Sequence, residues 1–126
     1  MSRAKIVTDN EGRFYGVRFN CPGCALLQHQ NGGTVTLPVN WTPPNMERSP
    51  LQGGRPHWTF NGDLERPTFG PSINSRWKRW AGHDQPSIEC VCHSFIRDGR
   101  IQFLNDCTHA LAGQTVDLPE IEDEAA

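Results

Sequence analysis

Apolar and polar residues alternate along several short runs of the chain, and this period of two predicts β-strands. The longest run, 87–104, is interrupted at Asp98-Gly99, which predicts two antiparallel strands joined by a tight turn. A shorter run, 57–60, leads into Asn61-Gly62, the strongest two-residue hairpin signal. The other alternating runs are 15–20, 35–41 and 115–118. We therefore expect a mainly β fold of short antiparallel strands.

Three stretches lack this alternation. Residues 42–56 are rich in Pro and Gly and predict a long, mobile loop, whereas residues 70–86 show no clear period. Residues Thr108–Leu111, closed by Gly113, are compatible with a turn or two of helix. The expected architecture thus has long loops and at most one or two short helices.

Length and composition predict one small domain with a thin core. The chain has 126 residues, of which 36% are hydrophobic, 10 are Pro and 12 are Gly, a mixture that argues against a helical bundle. We assign residues 1–119 to a single domain and residues 120–126 to an acidic tail. Because neither a run of about 20 apolar residues nor a secretory signal is visible, we expect a cytoplasmic protein without membrane contact.

Five cysteines in such a chain predict a metal centre, since disulfides are rare in the cytosol. Cys21 and Cys24 form a C-x-x-C motif, and the predicted hairpin folds Cys107 back toward Cys92. Tetrahedral Zn²⁺ takes four Cys or His ligands, commonly one such motif plus a pair supplied by the fold. The spacing therefore predicts a zinc site that staples a zinc-ribbon-like domain. Its ligands would be Cys21, Cys24, Cys92 and Cys107.

Other side chains are less certain ligands. His93 lies on the opposite strand face from Cys92, and His109 can join Cys107 only if its segment is extended. Cys90 shares a face with Cys92, so it is either a buried bystander or a substitute for it. Two alternatives stay open, because the C-x-x-C motif is also typical of redox pairs and all five cysteines can be free thiols of a small core.

A basic and aromatic stretch suggests a second kind of chemistry. Arg76, Trp77, Lys78, Arg79 and Trp80 combine cations that neutralise phosphates with rings that stack on bases. The favoured interpretation is a loop anchored by its two tryptophans, because residues 1–116 carry only a small excess of cations over acids. The sequence contains no hydrolase, nucleotide-binding or metalloprotease motif, and we assign no catalytic residue.

Two segments resemble a known family. Residues 60–72, FNGDLERPTFGPS, and residues 92–119, CHSFIRDGRIQFLNDCTHALAGQTVDLP, resemble the central and C-terminal motifs of a small family of unknown function. That family occurs in tailed phages and prophages and is often labelled ammonia monooxygenase, although nothing here resembles a membrane copper enzyme. The resemblance implies a metal bound by the four cysteines named above, with His93 and His109 as further candidates.

These observations favour a non-enzymatic, zinc-binding phage or prophage protein that binds a host or phage protein. It would act as a virion accessory or as an inhibitor of a host system, in the host cytoplasm or in the virion. One alternative is a zinc-dependent hydrolase in which His93 and His109 leave a metal position open and Asp106 or Glu89 acts as the base. Another is a nucleic-acid-binding accessory protein that uses residues 76–80.

Overall fold

Two antiparallel sheets make up the fold in the computed structural model, which describes residues 2–27 and 32–121. The first sheet contains β1 (Lys5–Thr8), β2 (Phe14–Asn20) and β3 (Thr34–Leu37). The second contains, in spatial and chain order, β4 (Thr59–Phe60), β5 (Phe69–Arg79), β6 (Ile88–Arg97), β7 (Arg100–Phe103) and β8 (Thr115–Asp117). One α-helix, α1 (Pro22–Leu26), and a 3₁₀ turn (Pro50–Gln52) occur in the described residues. The mainly β prediction is confirmed.

A hydrophobic core joins the two sheets. The ring of Phe19 on β2 lies 5.8 Å from that of Phe69 on β5, and Phe69 stacks on Phe60 at 5.0 Å. Ile96 and Ile101, which face each other across β6 and β7, are fully buried in the same cluster. All five cysteines are buried as well, so the thiols belong to the core and not to the surface.

The hairpin of β6 and β7 forms as predicted. Arg97 pairs with Arg100, and the two residues between them, Asp98 and Gly99, have φ values of 51° and 77°. Both central residues of a type I′ turn need this left-handed conformation. The turn therefore sets the register that brings the end of β7 back alongside His93.

The predicted two-residue hairpin at Asn61-Gly62 is wrong. Phe60 pairs with Phe69, so the connection between β4 and β5 comprises residues 61–68. The side chain of Asn61 organises this longer loop, because its Oδ1 accepts hydrogen bonds from the backbone N–H groups of Asp63 and Thr68. A side chain that can cap its own loop competes with the tight turn.

The stretch 70–86 was predicted to be irregular. Residues 70–79 instead belong to β5, the longest strand among the described residues. The strand carries polar side chains on both faces, since Ser75 and Arg79 interrupt the apolar positions of its half-buried side. Trp77 packs against the core, but Trp80 is 77% exposed and anchors nothing. A strand with so few apolar residues gives no clear period.

Three further segments complete the comparison. The helix considered over 108–111 is a series of turns, whereas the short helix α1 was not predicted. The loop 42–56 contacts β2, because the backbone N–H of Phe14 donates a hydrogen bond to the carbonyl of Glu47.

Most of the predicted acidic tail, residues 122–126, lies outside the described residues. No helix in the described part of the chain is long and apolar enough to cross a membrane.

Candidate active site and metal centre

Neighbouring residues of β6 direct their side chains to opposite faces of the second sheet, as in any strand. Cys92 is buried against the first sheet, where it meets the C-x-x-C motif. His93 lies on the other face, opposite Asn74 of β5, and its side chain is 23% exposed. The sheet therefore separates a cysteine cluster on one side from a histidine site on the other.

The imidazole of His93 bridges a hydroxyl and a carboxylate. Its Nε2 lies 3.1 Å from Oγ of Ser72 on β5, and its Nδ1 lies 3.1 Å from Oδ2 of Asp106. Asp106 comes from the turn after β7, which is held by a hydrogen bond of 2.9 Å from the N–H of Leu104 to the carbonyl of His93. Ser72, His93 and Asp106 thus form a linear hydroxyl–imidazole–carboxylate relay, the arrangement that activates a serine as a nucleophile.

A cation touches the carboxylate end of this relay. The guanidinium of Arg76 on β5 lies 3.4 Å from the same Oδ2 of Asp106 that faces His93. Asp106 is 44% exposed, so the carboxylate depends on this ion pair and on His93 for its orientation. Arg76, the first residue of the basic and aromatic stretch, therefore contacts the relay through Asp106.

The cysteine cluster is built around the start of α1. Cys21 is the N-cap of this helix, and its Sγ accepts a hydrogen bond of 3.3 Å from the backbone N–H of Cys24. Sγ of Cys21 also lies 3.5 Å from Sγ of Cys92. The sulfurs of Cys21, Cys24 and Cys92 lie within 4.8 Å of one another, and so do the ligand atoms of Cys92, Cys107 and His109. Both groups can hold a metal ion, and Cys92 belongs to both.

The electrostatics of the cluster are set by the proximity of its thiols. Hydrogen bonds from the thiols of Cys24 and Cys92 lower the pKa of Cys21 to about 3. The same thiolate raises the pKa of Cys24 to about 12 and raises that of Cys92. Burial raises the pKa of Cys107 and lowers that of His109. Several thiolates so close together repel each other unless a cation lies between them, and a metal ion would supply that charge.

His93, a less certain predicted ligand, and Cys90, a predicted bystander or substitute for Cys92, lie apart from both groups. Both ring nitrogens of His93 face Ser72 and Asp106. Cys90 lies beside the carbonyl of Ile88, with its Sγ 3.8 Å from that oxygen, and belongs to neither metal-binding group. His93 therefore belongs to the relay and not to the cysteine cluster.

Gly23 of α1 packs so closely against His109 that there is no room for a side chain at this position. A Cβ added at Gly23 would overlap the imidazole of His109 and come within 2.8 Å of the Phe103 ring. Although alanine favours helices over glycine, we expect Gly23→Ala to destabilise the protein by about 1–3 kcal/mol, the usual cost of overpacking. Differential scanning calorimetry measures this loss. The matched variant Gly54→Ala, where an added Cβ meets nothing within 4 Å, should change stability by less than about 0.5 kcal/mol.

The relay was not predicted from the sequence, although the pairing of two of its residues could have been. If Cys92 and Cys107 meet on one face of the hairpin, then their neighbours His93 and Asp106 meet on the other face. Ser72 gave no such signal because its strand was not recognised and because no G-x-S-x-G motif surrounds it.

A family comparison gives a match over most of the chain. Residues 1–104 match the family described as "Bacterial ubiquitination-like system serine protease (BubE)". The matched range contains Ser72 and His93 and ends before Asp106. No curated protein and no solved structure matches the chain significantly.

These findings correct the predicted function. The prediction of a non-enzymatic phage binding module is wrong, because the matching family is described as a bacterial serine protease. The zinc-hydrolase alternative required His93 on a metal, whereas His93 contacts Ser72 and Asp106. Of the predicted nucleic-acid stretch, Arg76 pairs with Asp106 and Trp77 packs against the core. The predicted protein partner stays a prediction.

Proposed function

We propose, since the chain belongs to the family of bacterial ubiquitination-like system serine proteases, that it is a serine protease with Ser72 as the nucleophile. The observation that carries this proposal is the relay in which His93 lies 3.1 Å from both Ser72 Oγ and Asp106 Oδ2. The family description also supports a role within a bacterial ubiquitination-like system, whose proteins would include the substrate.

The relay supplies each proton transfer that peptide hydrolysis needs. As Ser72 Oγ attacks the scissile carbonyl carbon, its proton passes to Nε2 of His93, and Asp106 stabilises the resulting imidazolium. The tetrahedral intermediate collapses when His93 returns this proton to the leaving amine, which leaves an acyl group on Ser72. Water then gives a proton to His93 and attacks the acyl carbon, and Ser72 regains its hydroxyl hydrogen from His93.

A fluorophosphonate probe tests the nucleophile without knowledge of the substrate, because such probes phosphonylate activated serines. We expect one probe molecule per chain on Ser72 and none on the Ser72→Ala variant, read by intact-mass and peptide mass spectrometry. Ser75→Ala is the matched control, since Ser75 lies on the same strand with its side chain on the other face. Labelling that survives in Ser72→Ala would refute the assignment.

We further propose that the cysteine cluster binds one structural zinc ion. Buried sulfurs are the donors that zinc prefers in sites of this type. Backbone N–H groups reach two of the sulfurs, from Cys24 to Cys21 at 3.3 Å and from His93 to Cys107 at 3.2 Å. Such bonds stabilise thiolate charge. Zinc would supply the positive charge that lets all of the thiols ionise together.

The hydrogen bonds of His109 favour Cys107 as the fourth ligand. Nδ1 of His109 accepts a hydrogen bond of 3.2 Å from the N–H of Leu111, so the proton of the neutral ring is on Nε2. In that tautomer Nε2, which lies 3.5 Å from Sγ of Cys92, donates to the sulfur instead of binding a metal. The proposed ligands are therefore Cys21, Cys24, Cys92 and Cys107.

A further inference from the structure

The outer edge of β5 begins beside the nucleophile and continues without a partner strand among the described residues. The neighbouring strand β4 pairs only with Phe69 and Gly70. Beyond these two residues, β5 continues through Ser72 and, among the strands of residues 2–27 and 32–121, pairs with β6 on its inner side. An unpaired strand edge presents main-chain N–H and C=O groups that can bind a further strand.

The hydrogen bonds of β6 show which main-chain groups of β5 point outward. The carbonyls of Val91 and His93 accept from Thr108 and Leu104, so odd-numbered residues of β6 turn their main chain away from β5. In an antiparallel ladder the alternate residues must then bond to β5. The pairs facing inward are Ile73 with Ser94, Ser75 with Cys92 and Trp77 with Cys90.

Even-numbered residues of β5 therefore turn their main chain to the outer edge. The carbonyl of Ser72 confirms this orientation, because it accepts a hydrogen bond of 3.3 Å from the indole of Trp58. The next outward groups are the N–H and C=O of Asn74, Arg76 and Lys78, for which no partner occurs in residues 2–27 and 32–121.

The relay crosses the sheet at right angles to this edge. Ser72 is on β5, His93 is on the next strand inward, and Asp106 lies beyond it. A strand added outside β5 would thus lie next to Ser72, on the side away from the general base. This position lets a carbonyl approach Oγ without displacing His93.

Of the two cations on the outward-facing residues of β5, one has an ion-pair partner and the other lies opposite an acidic residue of β6. Arg76 forms an ion pair with Asp106, and Lys78 is paired in register with Glu89. The edge therefore offers main-chain hydrogen bonds more than net charge.

We infer that the substrate of the proposed protease is an unfolded, extended peptide that binds as an added strand along the outer edge of β5. Main-chain pairing with Asn74, Arg76 and Lys78 would hold the peptide, and its scissile bond would lie at Ser72. This inference rests on the proposed function. It adds that an extended segment, and not a folded surface, is recognised, in the manner of other strand-addition complexes.

A proline substitution tests this edge. Asn74→Pro removes an outward N–H but no rung of the β5–β6 ladder, and proline is tolerated at strand edges. The probes are a library of random-sequence decapeptides, with cleavage read by mass spectrometry, and the fluorophosphonate. Relative to Asn74→Ala, which keeps the N–H, we expect Asn74→Pro to lower kcat/KM for the peptides at least tenfold, mainly through KM. The rate of Ser72 phosphonylation in each variant serves as the reference for folding.

N-methylation of a cleaved decapeptide tests the same pairing without changing the protein. Each N-methyl group removes one peptide N–H, and only every second N–H of an added strand points to β5. We expect KM to rise at least tenfold at alternate positions on one side of the scissile bond. Equal rates for the Pro and Ala variants, or no alternation, would overturn strand addition. A protein that is phosphonylated but cleaves no decapeptide would overturn it too, whereas a protein that is not phosphonylated contradicts the proposed function itself.

Discussion

Replacing His93 by Ala is expected to lower kcat for peptide cleavage by roughly 10⁶-fold, the scale of loss when the base of a serine protease is removed. The imidazole is the group seen in hydrogen-bond contact with Ser72 Oγ in the described part of the chain, so the variant loses the base that takes its proton. Asp106→Asn should lower kcat by about 10⁴-fold, because an amide in place of the carboxylate favours the wrong tautomer of His93. Steady-state kinetics on a cleaved decapeptide measure both losses.

The neighbouring variant Asn105→Ala is the control for these substitutions. Asn105 is exposed in the same turn as Asp106, and its side chain makes no hydrogen bond to His93. Its kcat is expected to stay within about threefold of that of the unchanged protein. A normal kcat for Asp106→Asn would contradict the relay, even if Ser72 proved to be the nucleophile.

Replacing Cys92 by Ser should abolish zinc binding and unfold the protein. Cys92 lies in both metal-binding groups, and zinc binding supplies roughly 10–16 kcal/mol in small zinc domains. That contribution matches or exceeds the whole stability of a typical domain, about 5–15 kcal/mol. Mass spectrometry of the metal content should find one zinc per chain in the unchanged protein and none in the variant, and circular dichroism should show lost β-structure.

Cys90→Ser is the matched control for the metal site. Cys90 is two residues away on the same strand and face and is equally buried, but it belongs to neither metal-binding group. We expect this variant to retain one zinc per chain. If Cys90→Ser lost the metal and Cys92→Ser kept it, the assignment of these two cysteines would be wrong.

The hairpin of β6 and β7 was predictable because its signals are local. The Asp98-Gly99 dipeptide specifies a type I′ turn, and the alternation on both sides of it agrees with strands. This register is enough to bring Cys107 toward Cys92. By contrast, the eight-residue connection after Phe60 depends on hydrogen bonds made by Asn61 to residues further along the loop, which no dipeptide signal encodes.

Strand β5, which carries the proposed nucleophile, was not predictable because its apolar content is low. Tertiary contacts and its ladder with β6 stabilise β5, including the packing of Trp77 against the core. The more exposed face of β5 is polar, because it carries Ser72 and the side chains of Asn74, Arg76 and Lys78. A functional surface of this kind removes the alternation by which strands are recognised.

The turn at Asp98-Gly99 also determines how the chain can change without losing its chemistry. One residue inserted there would turn every later side chain of β7 to the opposite face, and two would slide the return strand by about 6.6 Å. Either change would carry Asp106 away from His93 and Cys107 away from Cys92. Length variation among natural relatives should therefore be confined to other loops. A graft of this hairpin with the turn after β7 would transfer two of the three relay residues and two of the four proposed zinc ligands as one piece.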